Sequence, residues 1–234
     1  ELEIEAEISV AHVFEENTVV VAGNDHIMIS VLGRDFRVSA ASFFQVNTAM
    51  AAKMVDHLLT KLPIPNLPTT NLPATNVPTT NVPTTNVPTT NIPITTFLDI
   101  YCGAGLFSAF LAPKCERLIG VESAPSACED FSFNLDEFDH VELYEGLAEE
   151  VIPHLEAKPD VVLVDPPRAG LEKRVVDGIL RLGPQVVAYV SCDPSTLARD
   201  AARFITGGYR LKDVTPFDLF PQTYHIESIS FFER

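Results

Sequence analysis

The chain has 234 residues, 46% of them hydrophobic, and a formal net charge of −16. This length suits one large domain or a domain with an appendage. The acidity argues against a large basic nucleic-acid footprint, and no apolar run approaches the roughly 20 residues that a membrane span needs.

The four cysteines form neither a CxxC motif nor a Cys/His metal spacing, so we expect no metal site. The first residues have neither the basic region nor the apolar region of a signal peptide, and there is no starting Met. We therefore expect a cytoplasmic protein with free thiols, and we expect the chain to be a fragment of a longer one.

The N-terminal part changes its periodicity near residue 39. Residues 1–38 are predicted to be a β-rich segment, because "ISVAHVF", "TVVVAG" and "HIMISVLG" are separated by turn residues. Residues 39–62 have apolar side chains at helical spacing, beginning with Val46 and Met50. Asn47 or Thr48 is expected to cap this helix.

Residues 66–95 are six pentapeptides of the pattern Asn-(Leu/Val/Ile)-Pro-(Thr/Ala/Ile)-Thr. A proline at every fifth position excludes a helix and disfavours a central strand. We interpret the repeat as a low-complexity insertion without chemistry of its own. The alternative is a small stacked coil of β-turns that buries its Leu/Val/Ile column.

After the repeat, apolar strands alternate with helical segments up to two closing strands, "YRLKDVTPFD" and "ESISFFER". Such alternation predicts an α/β fold with a mostly parallel sheet and an antiparallel end. Ligands of open α/β sheets bind beyond the carboxyl ends of the strands, so the residues that follow each strand are the candidates for a site.

The first strand end is a glycine turn. Gly103 and Gly105 permit close backbone approach to a ligand, although a GxG can also be a simple strand–helix turn. Glu122 ends the next strand, at about the distance along the chain at which an acid binds ribose hydroxyls. Because Ser108 replaces the third glycine of the dinucleotide fingerprint, the pattern favours an adenosyl cofactor without a pyrophosphate, such as S-adenosylmethionine.

Two further strand ends and the C-terminal region carry reactive side chains. Asp165 precedes two prolines, which form either a simple strand-terminating turn or a rigid loop that aims Asp165 and Arg168 into a cleft. Cys192 stands at a strand end near a helix N-terminus, a setting that lowers a thiol pKa, although the local sequence taken alone favours an inert buried cysteine. His225 and Glu227 are expected on one face of a strand, with Glu227 either a solvated edge carboxylate or a base in a cleft.

Six motifs occur in a characteristic order: SFFQVN (42–47), DIYCGAGLF (99–107), GVE (120–122), DPPRAGL (165–171), YVSCDPSTLARD (189–200) and FPQTYHIE (220–227). In these motifs the chain resembles the class I RNA 5-methyluridine methyltransferases, the S-adenosylmethionine-dependent uracil-C5 enzymes of tRNA and ribosomal RNA. The resemblance implies a Rossmann-like class I methyltransferase domain with a mostly parallel seven-stranded sheet and an antiparallel end.

The resemblance also implies a mechanism. Cys192 as a thiolate adds to C6 of uracil, C5 takes the methyl group, and Glu227 removes the C5 proton before Cys192 is expelled. The target base must be unstacked to reach Cys192. The RNA substrate would be tRNA or rRNA, and no membrane partner is expected.

Cofactor contacts are implied in the same way. Gln45, Tyr101, Glu122 and Asp165 match the positions at which the family contacts S-adenosylmethionine, and Gly103 belongs to the turn that approaches it. The expected product is S-adenosylhomocysteine.

Two features depart from the family pattern. Asp193 stands where the family commonly has Asn, and the insert 66–95 has no counterpart there. We therefore divide the chain into the β-rich segment 1–38 and a methyltransferase domain, 39–234, which the insert interrupts. The alternatives to a uracil-C5 methyltransferase are an RNA cytosine-C5 methyltransferase and a cofactor-binding fragment or engineered scaffold with little activity.

Overall fold

The structure is a computed structural model that describes residues 9–14, 17–62, 95–223 and 225–234. The predicted pentapeptide insert, 66–95, lies outside the described residues except for Thr95, and so does the start of the predicted segment 1–38.

Strands and helices alternate through most of the described chain. The strands are β1 (Val10–Phe14), β2 (Asn17–Ala22), β3 (His26–Val31), β4 (Arg34–Ser39), β5 (Thr96–Ile100), β6 (Arg117–Glu122), β7 (Val141–Glu145), β8 (Val161–Val164), β9 (Val186–Ser191), β10 (Arg210–Phe217) and β11 (Glu227–Glu233). The helices are α1 (Thr48–Lys61), α2 (Leu106–Leu111), α3 (Pro125–Asn134), α4 (Ala148–Val151), α5 (Lys173–Leu182) and α6 (Pro194–Thr206).

Seven of these strands form one sheet in the order β10-β11-β9-β8-β5-β6-β7. The pairs from β9 to β7 are parallel, whereas β11 is antiparallel to both β9 and β10. The predicted mostly parallel seven-stranded sheet with an antiparallel end is therefore confirmed. The central strands β8 and β9 are buried along their whole length, as expected for strands covered on both faces.

Apolar side chains cover both faces of this sheet. On one face, Phe97 and Leu163 pack in a cluster that also contains side chains of α1 and α2. On the other face, Leu98 and Val162 pack in a second cluster with side chains of α5 and α6. Alternate residues of a strand point to opposite faces, so this division follows directly from the strand pleat.

Helix α1 begins later than its apolar pattern indicates. Asn47 is its N-cap, because the Asn47 side chain accepts a hydrogen bond from the backbone N–H of Met50 at 3.2 Å. Val46, which we placed on the helical face, precedes this cap and is 76% exposed. The buried face of α1 is formed by Ala51, Met54, Val55 and Leu58.

The hairpin of β3 and β4 is fastened to α3 by buried polar side chains. Asp130 accepts hydrogen bonds from Ser39 N (2.7 Å), Ser39 Oγ (2.7 Å) and Ser42 Oγ (2.6 Å). Asn134 exchanges two bonds with the backbone of Arg37 and donates a third to Ala104 O at 2.8 Å. These bonds hold the segment that leads to Gln45 against the body of the domain.

Candidate active site

The carboxyl ends of four parallel strands meet at one edge of the sheet. The strand register aligns Ile100 of β5 with both Val121 of β6 and Val164 of β8. Val164 is in turn aligned with Tyr189 of β9. The residues that follow these positions therefore lie along one edge of the sheet, the edge at which α/β sheets bind ligands.

The turn after β5 has unusual backbone geometry. Tyr101, Gly103 and Gly105 all have positive φ, at 65°, 53° and 88°. Tyr101 is a bulky residue in this conformation, and it is held there by its N–H, which donates to Val121 O at 2.8 Å. A Cβ added at Gly103 would meet no heavy atom within 4 Å, so this side of the turn is open to a ligand.

Glu122 is fixed beneath this turn by backbone donors. One carboxylate oxygen accepts from Gly103 N at 2.9 Å, and the other accepts from Ser123 N at 2.7 Å and Ala124 N at 2.9 Å. Glu122 thus ties the end of β6 to the glycine turn, with lone pairs left to accept from the hydroxyls of a ribose.

Asp99 is a buried acid that the motifs did not assign to the site. It is 1% exposed, and Ser108 Oγ donates to its Oδ2 at 2.6 Å. Its other oxygen, Oδ1, has no hydrogen-bond partner among the described residues. Burial raises the pKa of Asp99 to about 7, and the nearby charge of Glu122 contributes to this shift. The sequence signal that could have indicated this buried acid is its position within the apolar run FLDI.

Cys192 and Glu227 are neighbours because of the antiparallel pairing of β9 and β11. Ser191 of β9 is aligned with Ser228 of β11. Because the two strands run in opposite directions, Cys192, which follows Ser191, lies beside Glu227, which precedes Ser228. Glu227 is 6% exposed, and Cys192 is half-buried.

The pKa of the Cys192 thiol is shifted in the direction opposite to our expectation. A helix N-terminus lowers a thiol pKa, but here the pKa of Cys192 is raised by burial and by the charges of Glu227 and Asp165, with Arg168 acting weakly in the opposite direction. The N-terminus of α6 is occupied by Asp193, whose carboxylate accepts from Ser195 N at 2.9 Å and from Thr196 N at 2.8 Å. Hence Asp193 is the cap of α6, and these backbone hydrogen bonds lower its own pKa.

Asp165 lies between these two groups of residues. Its backbone N–H donates to Ile100 O at 3.2 Å, which holds the start of the DPPRAGL loop to β5. Burial and the nearby carboxylates, Glu227 foremost, keep the pKa of Asp165 well above its usual range. The pKa of Glu227 is also raised by burial, while Arg168 lowers it to a smaller extent.

His225 does not lie on a strand, contrary to our prediction. Strand β11 begins at Glu227 because that residue, aligned with Phe217, is the last to pair with β10. His225 Nε2 is instead 3.5 Å from Nη2 of Arg168.

Gln45 is buried, and its neighbours approach the loop that leads to Glu227. The Asn47 side chain donates from Nδ2 to Leu219 O at 3.0 Å, which links the two segments. The two phenylalanines that precede Gln45 have different environments. The Phe44 ring packs on Phe36 with ring centroids 5.5 Å apart, whereas Phe43 is 71% exposed.

Metal clusters and membrane-spanning helices are both absent from the described residues. No cluster of three His, Cys, Asp or Glu side chains in that part of the chain is arranged to hold a metal ion. No helix there has both the length and the apolar character needed to cross a membrane.

Comparison with protein families supports the resemblance drawn from the motifs. Residues 155–234 match the family model of the tRNA (uracil-5-)-methyltransferases. An uncharacterized RNA methyltransferase of Chlorobaculum tepidum is 33% identical over 94% of this chain and 41% of its own length. Another, from Halalkalibacterium halodurans, is 36% identical over 94% of this chain and 43% of its own length. The chain thus spans less than half the length of the curated relatives that it matches.

Solved structures agree with this result. The tRNA (uracil-54, C5)-methyltransferase of Pyrococcus abyssi, solved with S-adenosyl-L-homocysteine, is 27% identical, with a TM-score of 0.67 over 90% of this chain and 45% of that one. M. jannaschii TYW2, solved with AdoMet, has a TM-score of 0.55 at 14% identity, over 93% of this chain and 90% of its own, which shows a shared fold. The predicted class I methyltransferase fold and the resemblance to the RNA uracil-C5 methyltransferases are confirmed.

Proposed function

We propose that this chain, which is similar to the tRNA (uracil-5-)-methyltransferases over residues 155–234, is the catalytic portion of an S-adenosylmethionine-dependent RNA methyltransferase acting on C5 of a uridine in tRNA or rRNA. The observation that carries the proposal is the pairing of Ser191 with Ser228, by which Cys192 and Glu227 adjoin at the carboxyl edge of the sheet.

The residues at this edge fit an adenosyl cofactor. Glu122 is held where it can accept from ribose hydroxyls, and the turn at Gly103 has open space on its ligand side. Tyr101 and Gln45 complete the proposed contacts from the two flanking segments. Asp99 and Asp165 place two acidic groups at this edge, and a bound cation would favour their ionised forms. When bound, S-adenosylmethionine supplies an electrophilic methyl group on a cationic sulfonium.

Cys192 is the proposed nucleophile. After it loses its proton, its sulfur forms a bond to C6 of uracil, and the C5–C6 double bond becomes a nucleophilic, enolate-like C5. Once C5 carries the methyl group, Glu227 takes the C5 proton. The electrons of the C–H bond restore the C5–C6 double bond, and the sulfur leaves as a thiolate. A raised pKa makes Glu227 a stronger base for this step.

RNA containing 5-fluorouridine tests the assignment. With S-adenosylmethionine present, C5 is methylated, and because the fluorine at C5 cannot then leave as a cation, the adduct with Cys192 should persist and be visible as a protein–RNA band in a denaturing gel. Cys192→Ala should abolish the band, whereas Cys115→Ala, which changes another partly exposed free thiol, should retain it. Equal trapping by the Cys192 variant would refute the nucleophile.

Two further measurements define the substrate and the cofactor. RNA containing 5-fluorocytidine should form no adduct; trapping of that RNA alone would favour the cytosine-C5 alternative. Calorimetric titration should detect binding of S-adenosylmethionine, and Glu122→Ala should weaken it by about tenfold or more, because a charge-assisted hydrogen bond to the ribose is lost. If the wild-type protein does not bind the cofactor, it is no methyltransferase.

A further inference from the structure

Asp200 on α6 is a fully buried carboxylate outside the proposed chemical steps. Its Oδ2 accepts from the backbone N–H of Leu171 at 2.8 Å and from the hydroxyl of Tyr189 at 3.0 Å. Leu171 is the last residue of the DPPRAGL loop, and Tyr189 belongs to β9, three residues before Cys192. One buried side chain therefore joins the loop after β8 to the strand that carries the thiol.

Two guanidinium groups complete this arrangement. Arg199 Nε and Arg203 Nη1 donate to Oδ1 of Asp200 at 2.9 and 3.0 Å. The same arginines also hold the loop backbone: Arg199 Nη2 donates to Ala169 O at 2.8 Å. Arg203 Nη1 donates to Leu171 O at 3.1 Å. Buried carboxylates are stable when they are paired and hydrogen-bonded in this way. We call Asp200, Arg199 and Arg203 the Asp200 clamp.

The DPPRAGL loop packs directly against the Asp200 clamp. Gly170 has φ of +72°, and a Cβ there would approach Arg199 Nη2 to 2.5 Å and Asp200 Oδ2 to 2.6 Å. The other end of the loop is fixed at Asp165, whose N–H donates to β5. Because two prolines, Pro166 and Pro167, stiffen the span between these anchors, the position of Arg168 depends on the clamp.

The clamp also stands on the helix that begins beside the thiol. Asp193, the N-cap of α6, directly follows Cys192, and Asp200 is two helical turns further along. The loop with Asp165 and Arg168 is thereby held at a fixed distance from Cys192. The charges that reach Cys192 come from Glu227 on β11 and from these two loop residues.

From these contacts we propose that Asp200 is a positioning residue, which holds Asp165 and Arg168 in register with Cys192 and Glu227. The effect of Asp200 on catalysis rests on the proposed function. The fixed distance between the loop and the thiol does not depend on that function.

Arg199→Lys is the main test variant, because Arg199 is exposed and the fold should tolerate the change. Lysine cannot hold Asp200 and the loop carbonyls at once, since it lacks the planar fork. Arg181→Lys is a matched control: Arg181 Nη2 likewise donates to two carbonyls, those of Ile152 and Leu155 at 2.9 and 3.0 Å, and it is exposed too. Asp200→Asn removes the buried charge itself.

The first readout is the rate at which iodoacetamide alkylates Cys192 at pH 8, followed by peptide mass spectrometry. Burial and the charge of Asp165 raise the pKa of Cys192 more than Arg168 lowers it. Loosening the loop should therefore lower that pKa and make alkylation roughly threefold faster in Arg199→Lys and Asp200→Asn. The rate in Arg181→Lys should equal that of the wild type.

The buried thiols Cys102 and Cys128 are internal controls for unfolding. They should react at wild-type rates in the variants, whereas a general loss of structure would accelerate all three cysteines together. An unchanged or slower rate at Cys192, or a parallel acceleration at Cys102 and Cys128, would overturn the positioning role.

The second readout is kcat for methyl transfer to RNA. A displaced loop should lower kcat by about tenfold to a hundredfold even though the thiol is more reactive, because small misplacements of reacting groups carry such losses. A wild-type kcat in a variant with faster alkylation would also overturn the role. If the wild-type protein neither binds S-adenosylmethionine nor traps 5-fluorouridine RNA, the proposed function fails, and the alkylation comparison still tests the clamp.

Discussion

Asp99 shows how one buried residue makes stability depend on pH. The pKa of its carboxyl is about 7 in the folded chain against 3.8 ordinarily, so the folded state binds the proton more tightly. Folding is consequently favoured by this group below pH 3.8, and the contribution is lost as the pH rises to about 7.

We expect Asp99→Asn to remove this pH dependence. Between pH 4 and pH 8, the unfolding free energy of the wild type should fall by about 4 kcal/mol relative to that of the variant, since one pKa unit corresponds to about 1.4 kcal/mol. Urea unfolding followed by circular dichroism at several pH values measures it. A difference that stays constant across this pH range for Asp99→Asn would contradict the prediction.

Asp193 offers a second test at this scale. Asp193→Ala leaves Ser195 N and Thr196 N without their acceptor and should lower the melting temperature by about 2–4 °C. Asp193→Asn should lie close to the wild type, because Asn caps helices as well as Asp does. Scanning calorimetry of both variants compares them, and equal losses would show that the charge matters more than the cap.

The motifs predicted Cys192 and Glu227 as site residues, and the assignment stays a prediction; the direction of the pKa shift of Cys192 was not predicted. A helix N-terminus is visible in the sequence, whereas the burial of the thiol and the charges of Glu227 and Asp165 act on it only in the folded chain. Asp200 was missed in a similar way. It lies on the buried stripe of α6 with Ala201 and Phe204, and an acid on such a stripe must find a partner that the sequence does not name.

At the scale of elements, the turn between β5 and α2 separates two glycines that look alike in the sequence. Both have positive φ. A Cβ at Gly103 meets open space, whereas a Cβ at Gly105 would collide with the side chains of Leu135 and Phe131. The second glycine is therefore required for close packing of α3, and the first for its backbone conformation.

We expect Gly103→Ala to cost about 1 kcal/mol of unfolding free energy, the strain of a left-handed alanine. Gly105→Ala should cost about 3 kcal/mol or more, because a displaced core is added to that strain. Chemical denaturation of the two variants provides the comparison. Equal losses would mean that Leu135 and Phe131 yield without resistance.

Elements with strong local signals were predicted well, and those set by pairing were not. The apolar runs of β8 and β9 are visible in the sequence because both faces of each strand are buried. The start of β11 at Glu227 depends on where β10 ends its pairing, and the start of α1 depends on Asn47 rather than on the apolar period that includes Val46.

At the scale of the whole molecule, long-range polar contacts join parts that the sequence presents as separate. Asp130 and Asn134 bind residues almost a hundred positions earlier in the chain. No local pattern predicts such partners, because the hairpin of β3 and β4 and the helix α3 meet only in the folded chain.

The net charge of −16 leads to a prediction about RNA binding. Proteins that neutralise 6–10 phosphates lose about 10³–10⁵ in affinity between 50 and 200 mM salt. We expect the RNA affinity of this chain to stay within about threefold over that range, since general repulsion is screened while few contacts are lost. Filter binding at four salt concentrations measures the slope, and a loss of a hundredfold would reveal a strong basic contact surface.

The way in which the chain enters β5 has an evolutionary consequence. Asp160 Oδ2 accepts from Thr95 N at 2.8 Å, from Thr95 Oγ1 at 3.0 Å and from Thr96 N at 3.0 Å. This carboxylate fixes the amino end of β5, a strand length of about 17 Å from the edge that carries Cys192 and Glu122. The amino end of β5 is thus held by a contact made within residues 95–160. We therefore expect that repeats can be gained, lost or exchanged before residue 95 with little effect on the chemistry at the opposite edge.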